Sequence, residues 1–217
     1  MISLPTVTLI AYATINVEAT VRALEYSCKG ISFGAVRLVS PYRPVDSSIE
    51  WFECAPCDSV DEWSRRMVYE LTNFVDTEHC LLIHADGFVV NPDKWNPNWL
   101  NFDYIGAPWP LPTDDFSYRD INGTIQRVGN SVSLRSKKLL NTANDLSIPW
   151  QSFHGYWNED GFICVNNRHL YEQNGCKFVP FEEAIHFGRE CPLPENMNID
   201  PFIFHRYEGS NSNYPRF

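Results

Sequence analysis

Three short apolar runs in the first ninety residues are typical of buried strands. They are TVTLIAYA at 6–13, GAVRLVS at 34–40 and HCLLIHA at 79–85. Each is rich in β-branched and aliphatic residues and shows little alternation, as expected for strands that are covered on both faces. The chain therefore begins with three candidate strands of a parallel sheet.

Two segments between these strands carry apolar residues at the spacing of an α-helix. In the first segment Asn16 is a candidate N-cap, and the apolar face consists of Val17, Val21, Leu24 and Cys28. The second segment starts with the capping-box pattern Ser59-Val60-Asp61-Glu62, and its apolar stripe consists of Trp63, Met67, Leu71 and Phe74. Strands and helices that alternate in this way predict an α/β fold with a mostly parallel sheet flanked by helices.

The second half of the chain is less regular. Residues 91–133 are rich in Pro, Asn and Trp, which indicates irregular structure over the strand ends. The further expected elements are a strand at 124–136 with a Gly-Asn turn near its start, helices at 136–145 and 160–174, a cap at Gly175, a short strand KFVP, a short helix FEEAIHFGRE and a last strand at 202–205. We expect one domain over 1–208. Residues 209–217 are either a linker to further domains of a longer protein or a frayed tail.

Composition and charge exclude several classes of partner. The 217 residues carry a net charge of −10 with a pI near 5.0, and no basic run occurs, so a nucleic-acid partner is not expected. An acidic protein can still bind a phosphorylated ligand through a divalent cation or a few placed arginines. No segment resembles a signal peptide or is apolar enough to span a membrane.

Seven irregularly spaced cysteines indicate free thiols and a cytoplasmic location. Cys54 and Cys57 form a Cys-x-x-Cys pair ahead of a helix, where a redox dithiol could lie. The acidic neighbours Glu53 and Asp58 disfavour a thiolate, and no second such pair completes a zinc site. We therefore expect these two cysteines to be structural and remote from any ligand site.

Three positions could carry chemistry. His84 and Asp86 end the third strand, where residues two apart point to the same face and could converge on an ion. Glu159 and Asp160 stand at a helix start, either to complement the helix dipole or to supply a general base. His205 ends an apolar run, as a structural residue or a metal ligand.

A set of motifs in fixed order resembles a family of nucleotide-sugar-dependent glycosyltransferases with a GT-A-like, Rossmann-like fold. The motifs are TLIAYATINVEATVRALEYS, HADGFVVNPDKW, FDYIGAPWP, VGNSVSLRSKKLL, NEDGFIC and PFIFHR. The resemblance covers most of the chain, and it implies a small irregular or antiparallel part over the strand ends.

The resemblance also implies roles for particular residues. Asp86 matches the metal-binding carboxylate of an Asp-x-Asp motif whose first carboxylate is replaced by His84, and His205 matches a histidine that completes the metal site. Asp160 is implied as the catalytic base, with Glu159 beside it. The residues implied to hold the nucleotide-sugar donor are Ala11, Tyr12, Ala13, Asn16, Arg65, His84, Ala85 and Asp86.

The implied reaction transfers a sugar from a UDP-sugar, of the UDP-glucose or UDP-rhamnose type, to a hydroxyl of a glycan or glycoprotein acceptor with inversion. Mn²⁺, or Mg²⁺, would be the cofactor. Aromatic residues between 95 and 118 could stack on sugar rings. The alternatives are an inactive nucleotide-sugar or glycan-binding module and a nucleotidyltransferase of related fold. The second would normally show a Gly-rich basic loop, which LIAYATINVEA lacks.

Overall fold

The computed structural model describes residues 1–45, 47–152, 158–205 and 214–217. Its main sheet has six strands in the order β3-β2-β1-β4-β6-β5. These strands are β1 Ile2–Tyr12, β2 Ile31–Ser40, β3 Glu50–Glu53, β4 His79–Leu82, β5 Tyr104–Pro108 and β6 Val128–Ser136. The first four run parallel, and β6 is antiparallel to both β4 and β5. The predicted mostly parallel α/β sheet is confirmed.

Helices cover the sheet, and a small two-stranded sheet packs beside β5, where a Cβ on Gly188 would lie 3.2 Å from Ala107. The helices are α1 Val17–Ser27, α2 Val60–Tyr69, α3 Lys137–Asp145, α4 Glu159–Gly161, α5 Arg168–Gln173 and α6 Phe181–Phe187. Short 3₁₀ helices occupy Leu71–Phe74, Pro92–Lys94 and Pro97–Asn101. The second sheet pairs β7 Gly188–Arg189 with β8 Ile203–Phe204 in parallel. In the described parts of the chain, no helix combines the length and the apolar character needed to cross a bilayer.

The two predicted helix starts differ in how they are capped. Ser59 Oγ accepts a hydrogen bond from the N–H of Glu62, and the Glu62 carboxylate accepts one from the N–H of Asp58, so the capping pattern is confirmed with a shift of one residue in its return bond. Asn16 occupies the N-cap position of α1, but its side chain makes no capping bond. Its φ of 52° shows that Asn16 instead serves the turn out of β1, because asparagine tolerates the left-handed region.

The predicted helix at 160–174 is not continuous. The helix α4 has only three residues, a π-helical segment Phe162–Asn166 follows, and α5 begins at Arg168. Gly175 does end this segment with a φ of +78°, as expected for a left-handed cap. Residues 177–180 form no strand and contribute only a single bridge from Phe178 to Tyr104.

The Trp-rich segment contributes to the core. Trp99 and Trp109 are buried, and the Trp109 ring lies so close to Gly129 that a Cβ there would be 1.9 Å from it. Gly129 and Asn130 both lie inside β6, so the turn predicted at this point does not occur. The aromatic residues at 95–118 do not line the cavity that the described residues form at the carboxyl ends of β1 and β4. Stacking on a sugar bound in that cavity is therefore not supported, and stacking on sugars elsewhere stays a prediction.

Candidate functional site

A cavity of about 1010 Å³ opens at the carboxyl ends of the central strands β1 and β4. Its walls are the turn after β1, the turn after β4, the starts of α2 and α4, and the end of β8. Because these strands pair in parallel, with Ile10 opposite Leu82, their carboxyl ends open at the same edge of the sheet. Of the predicted tail 209–217, residues 209–213 lie outside the described part of the chain. Residues 214–217 line this same cavity.

His84, Asp86 and His205 converge at this cavity. One ligand atom of each lies within 4.8 Å of the others, and His205 Nε2 is 3.8 Å from Asp86 Oδ1. The ring centroids of His84 and His205 are 5.3 Å apart. The structure thus brings together the three residues that sequence resemblance assigned to the metal and its neighbourhood.

A tight turn, and not strand alternation, aims His84 and Asp86 at the same point. The strand β4 ends at Leu82, and His84 and Gly87 exchange backbone hydrogen bonds of 2.8 and 3.2 Å around Ala85-Asp86. A Cβ on Gly87 would lie 2.8 Å from His205 Cδ2. The glycine is therefore required because His205 packs directly against the turn that carries Asp86.

The electrostatics of His84 suit a metal ligand. Burial, together with the positive charge of His205 and Arg135, holds the pKa of His84 well below its usual range. Its Nε2 is buried and has no hydrogen-bond partner among the described residues. A neutral imidazole with an unused buried nitrogen beside a carboxylate is a donor set that fits Mn²⁺ or another divalent ion.

Glu190 is a member of the site that sequence reasoning missed. Its Oε1 is 3.3 Å from Nδ1 of His205, on the ring nitrogen that faces away from Asp86. Burial alone would lower the pKa of His205, but Glu190 and the charges of the two nearby aspartates outweigh it and raise the pKa. No local pattern pairs Glu190 with His205, because the pairing of β7 with β8 brings them together.

The adjacent acids Glu159 and Asp160 have different environments. Glu159 is buried and forms an ion pair with Arg135, with Nη2 and Oε1 separated by 3.0 Å. Asp160 lines the cavity, and burial, together with the charges of Glu159 and Glu190, raises its pKa to about 7. A carboxyl group that titrates near neutral pH is suited to general base catalysis.

The residues expected to hold the donor are only partly brought together. Tyr12, Ala13, Asn16 and Ala85 line the cavity, whereas Ala11 is buried in the core beneath it. Arg65 does not line the cavity, because it lies on the outer face of α2 in an ion pair with Glu70.

Two neighbours of Arg65 on α2 take the inward positions. Arg66 donates a hydrogen bond to the Tyr12 hydroxyl, with an N–O distance of 3.0 Å. Trp63 lines the cavity and donates its indole N–H to the Tyr12 carbonyl at 2.9 Å. The helix start thus fixes Tyr12, the residue that ends β1 at the cavity.

One cysteine of the Cys-x-x-Cys pair lies closer to the cavity than expected. Cys57 lines the cavity, so the expectation that neither cysteine lies near the ligand site is wrong for Cys57. Both thiols are free, and burial raises the pKa of each of them. A raised pKa disfavours the thiolate, which is the reactive form in redox chemistry.

A family match covers most of the chain, including the turn at Asp86, both acids of α4, Glu190 and His205. The family is described as "Protein of unknown function (DUF5672)", and its model matches residues 48–205. The chain belongs to this family. No curated protein matches the DUF5672 chain.

Solved structures show what fold the DUF5672 chain has. A glycosyltransferase involved in the glycosylation of the major capsid of PBCV-1 is similar over 96% of this chain and 95% of its own, with a TM-score of 0.55 and 13% identity. At that identity the likeness shows the fold alone. The likeness supports the mostly parallel α/β fold expected from the sequence, and it assigns no activity to this chain.

Two further solved structures are more distant. The apo-form glycosyltransferase GlyE of Streptococcus pneumoniae matches 97% of this chain at 10% identity and a TM-score of 0.48. The bifunctional IspDF of Campylobacter jejuni matches 80% of this chain at 14% identity and a TM-score of 0.47. The chain spans 56% of GlyE and 48% of IspDF, about half of each.

Proposed function

We propose that this DUF5672 protein is a metal-dependent, inverting glycosyltransferase. It transfers a sugar from a UDP-sugar, of the UDP-glucose or UDP-rhamnose type, to a hydroxyl of a glycan or glycoprotein acceptor. The observation that carries the proposal is the convergence of His84, Asp86 and His205 in the same cavity as Asp160. One side of such a site would bind a cation, and the other would accept a proton.

The charge of the cavity supports a requirement for a cation. Its acidic lining residues are Asp58, Asp86, Glu159, Asp160 and Glu190. Arg135 offsets the charge of Glu159, and Arg216 is the one arginine or lysine among the described lining residues. The remaining acids still outnumber it, so a bound cation would favour entry of an anionic diphosphate donor.

The residues present could hold that charge. His84, Asp86 and His205 would bind Mn²⁺ or Mg²⁺, and the two imidazoles favour Mn²⁺. When bound, the ion supplies positive charge that stabilises the departing diphosphate.

Asp160 supplies the proton acceptor in this proposal. The acceptor hydroxyl must lose its proton as its oxygen attacks the sugar, and a carboxylate within hydrogen-bond reach can take it. Glu159 is less suited to this role because both of its oxygens are engaged, by Arg135 at 3.0 Å and by the Ser64 hydroxyl at 3.4 Å. A single displacement of this kind inverts the configuration of the transferred sugar.

The donor and acceptor classes have different support. The turn Tyr12 to Asn16 lies at the end of a central strand, where nucleotides bind in open α/β sheets, and it would hold the nucleoside. A glycan or glycoprotein acceptor is supported by the PBCV-1 neighbour, which is involved in glycosylation of the major capsid.

Calorimetry with UDP tests the cation site. We expect UDP to bind in the presence of Mn²⁺ and to lose most of its affinity in EDTA. Asp86→Asn should lose the Mn²⁺-dependent part, whereas Asp58→Asn, a matched change in the same cavity but outside the cluster, should keep it. Equal UDP affinity with and without metal would show that the proposal is wrong.

Turnover separates the proposal from its alternatives. We expect release of UDP from one or more members of a panel of UDP-sugars when glycan acceptors are present. Metal-dependent UDP binding without turnover on any donor would indicate an inactive binding module. Release of pyrophosphate from a nucleoside triphosphate and a sugar phosphate would indicate a nucleotidyltransferase.

A further inference from the structure

Glu190 and His205 are placed side by side by the small sheet. The strands β7 and β8 pair in parallel with Arg189 opposite Phe204, and the N–H of His205 donates to the carbonyl of Arg189 at 2.9 Å. Glu190 directly follows β7, and His205 directly follows β8. Their side chains are only 14% and 16% exposed, so both are held at the edge of the cavity.

The two nitrogens of the His205 ring face different partners. Nδ1 is 3.3 Å from Glu190 Oε1, an ion-pair contact that is not aligned as a hydrogen bond in this conformation, and Nε2 is 3.8 Å from Asp86 Oδ1. In a neutral imidazole only one nitrogen carries a proton, and the hydrogen bond made by one nitrogen decides the state of the other. A carboxylate 3.3 Å from Nδ1 favours the proton on that nitrogen electrostatically, and after a slight rotation of either side chain it can accept a hydrogen bond from Nδ1–H. The lone pair is then left on Nε2.

We propose that Glu190 is a positioning residue that fixes the tautomer and ring orientation of His205. It holds the proton on Nδ1, so that the Nε2 lone pair faces Asp86 and His84. The part of this inference that concerns the metal rests on the proposed function, because the aligned Nε2 lone pair would be donated to a divalent cation. The tautomer itself does not depend on any metal.

The placement of Glu190 separates it from the ligands. The cluster of mutually close ligand atoms among the described residues consists of His84, Asp86 and His205 without Glu190. Glu190 lies on the far nitrogen of the ring. A carboxylate in that position raises the basicity of a metal-binding histidine and restricts its rotation.

The tautomer is measured directly in the metal-free chain by long-range ¹H–¹⁵N NMR of the imidazoles at a pH where His205 is neutral. His205→Asn assigns the signals. We expect the Nδ1–H form in the parent and a shift towards Nε2–H in Glu190→Ala. Glu190→Gln, whose amide oxygen can still accept from Nδ1–H, should retain the parent tautomer. Glu182→Gln, at an exposed position on α6, is the matched control and should leave the spectrum unchanged.

Mn²⁺ titration of the same variants measures the consequence. Glu190→Ala should weaken Mn²⁺ binding about 10–100-fold, and Glu190→Gln should restore most of the loss. An Nε2–H parent, or a Glu190→Ala variant with the parent tautomer and the parent affinity, overturns the proposal. Equal loss of Mn²⁺ in both variants with an unchanged tautomer also overturns it, because Glu190 would then be a direct ligand. If the parent binds no Mn²⁺, the proposed function fails, and the NMR result still decides the role of Glu190.

Discussion

The guanidinium of Arg135 lies 3.0 Å from the carboxylate of Glu159, and both side chains are almost completely buried. The strand β6 supplies the arginine and α4 supplies the acid, so this ion pair attaches the short helix to the sheet. Asp160 follows Glu159 directly. The pair therefore fixes the backbone that carries the proposed base.

Glu159→Ala should destabilise the protein by about 3–5 kcal/mol, because removal of one partner leaves the buried charge of Arg135 uncompensated. Urea unfolding of parent and variant measures this difference. Glu172→Ala, which removes a half-exposed acid from an ion pair on α5, is the control and should cost at most about 1 kcal/mol. If Glu159→Ala lost no more stability than Glu172→Ala, the buried pair would contribute little to the stability of the fold.

Gly87→Ala tests the packing of the turn against His205. The added Cβ would lie 2.6 Å from Val132 Cγ2 and 2.8 Å from His205 Cδ2, so both side chains, or the turn itself, must move. We expect a loss of about 1–3 kcal/mol in stability, together with weaker Mn²⁺ binding. Gly161→Ala is the control, because nothing lies within 4 Å of its added Cβ. Mn²⁺ binding at the parent level in a folded Gly87→Ala variant would contradict the packing argument.

Local periodicity in the sequence was enough to predict β1, α1, β2, α2 and β4. The apolar spacing of these elements is set by the sheet they cover, and their order places Asp86 at a ligand-binding edge. The strand β3 was missed because its four residues, EWFE, have exposed or half-buried side chains at the edge of the sheet and no apolar run.

The contacts that build the site depend on long-range pairing. Glu190 meets His205 across the small sheet, and Arg135 meets Glu159 across 24 residues. The helical phase of α2 decides that Arg66 points inward and Arg65 outward, and a one-residue error in phase exchanges them. Sequence spacing alone does not fix such pairs.

The cysteines should be slow to react. Burial raises the pKa of both Cys54 and Cys57, so the thiol form dominates at neutral pH. Alkylation by iodoacetamide at pH 7.5 should be slower for both thiols than for free cysteine, as measured by mass spectrometry of the peptides. Changing Cys54 to Ser should leave turnover within a few-fold of the parent. Fast alkylation of either thiol would revive the redox interpretation.

Asp160→Asn is expected to separate catalysis from binding. A general base contributes about 10²–10⁴ in rate, so the variant should lose at least about a hundredfold in single-turnover transfer and keep the UDP affinity of the parent. Glu159→Gln should lose less, because Glu159 is held by Arg135. If Glu159→Gln is the inactive variant and Asp160→Asn is active, the roles are reversed.

The pH dependence of Asp160 gives a test that needs no substrate. Its pKa of about 7 in the metal-free chain lies above the value of about 3.9 expected for an unfolded aspartate. The folded state therefore binds the proton more tightly, and the contribution of Asp160 to stability falls as the pH rises from about 4 to about 7. Asp160→Asn should consequently raise the melting temperature more at pH 8 than at pH 4. In the active enzyme a bound cation would lower this pKa, so the rise of turnover with pH should be centred below 7. An equal effect of Asp160→Asn on the melting temperature at both pH values would show that the carboxyl group does not titrate in this range.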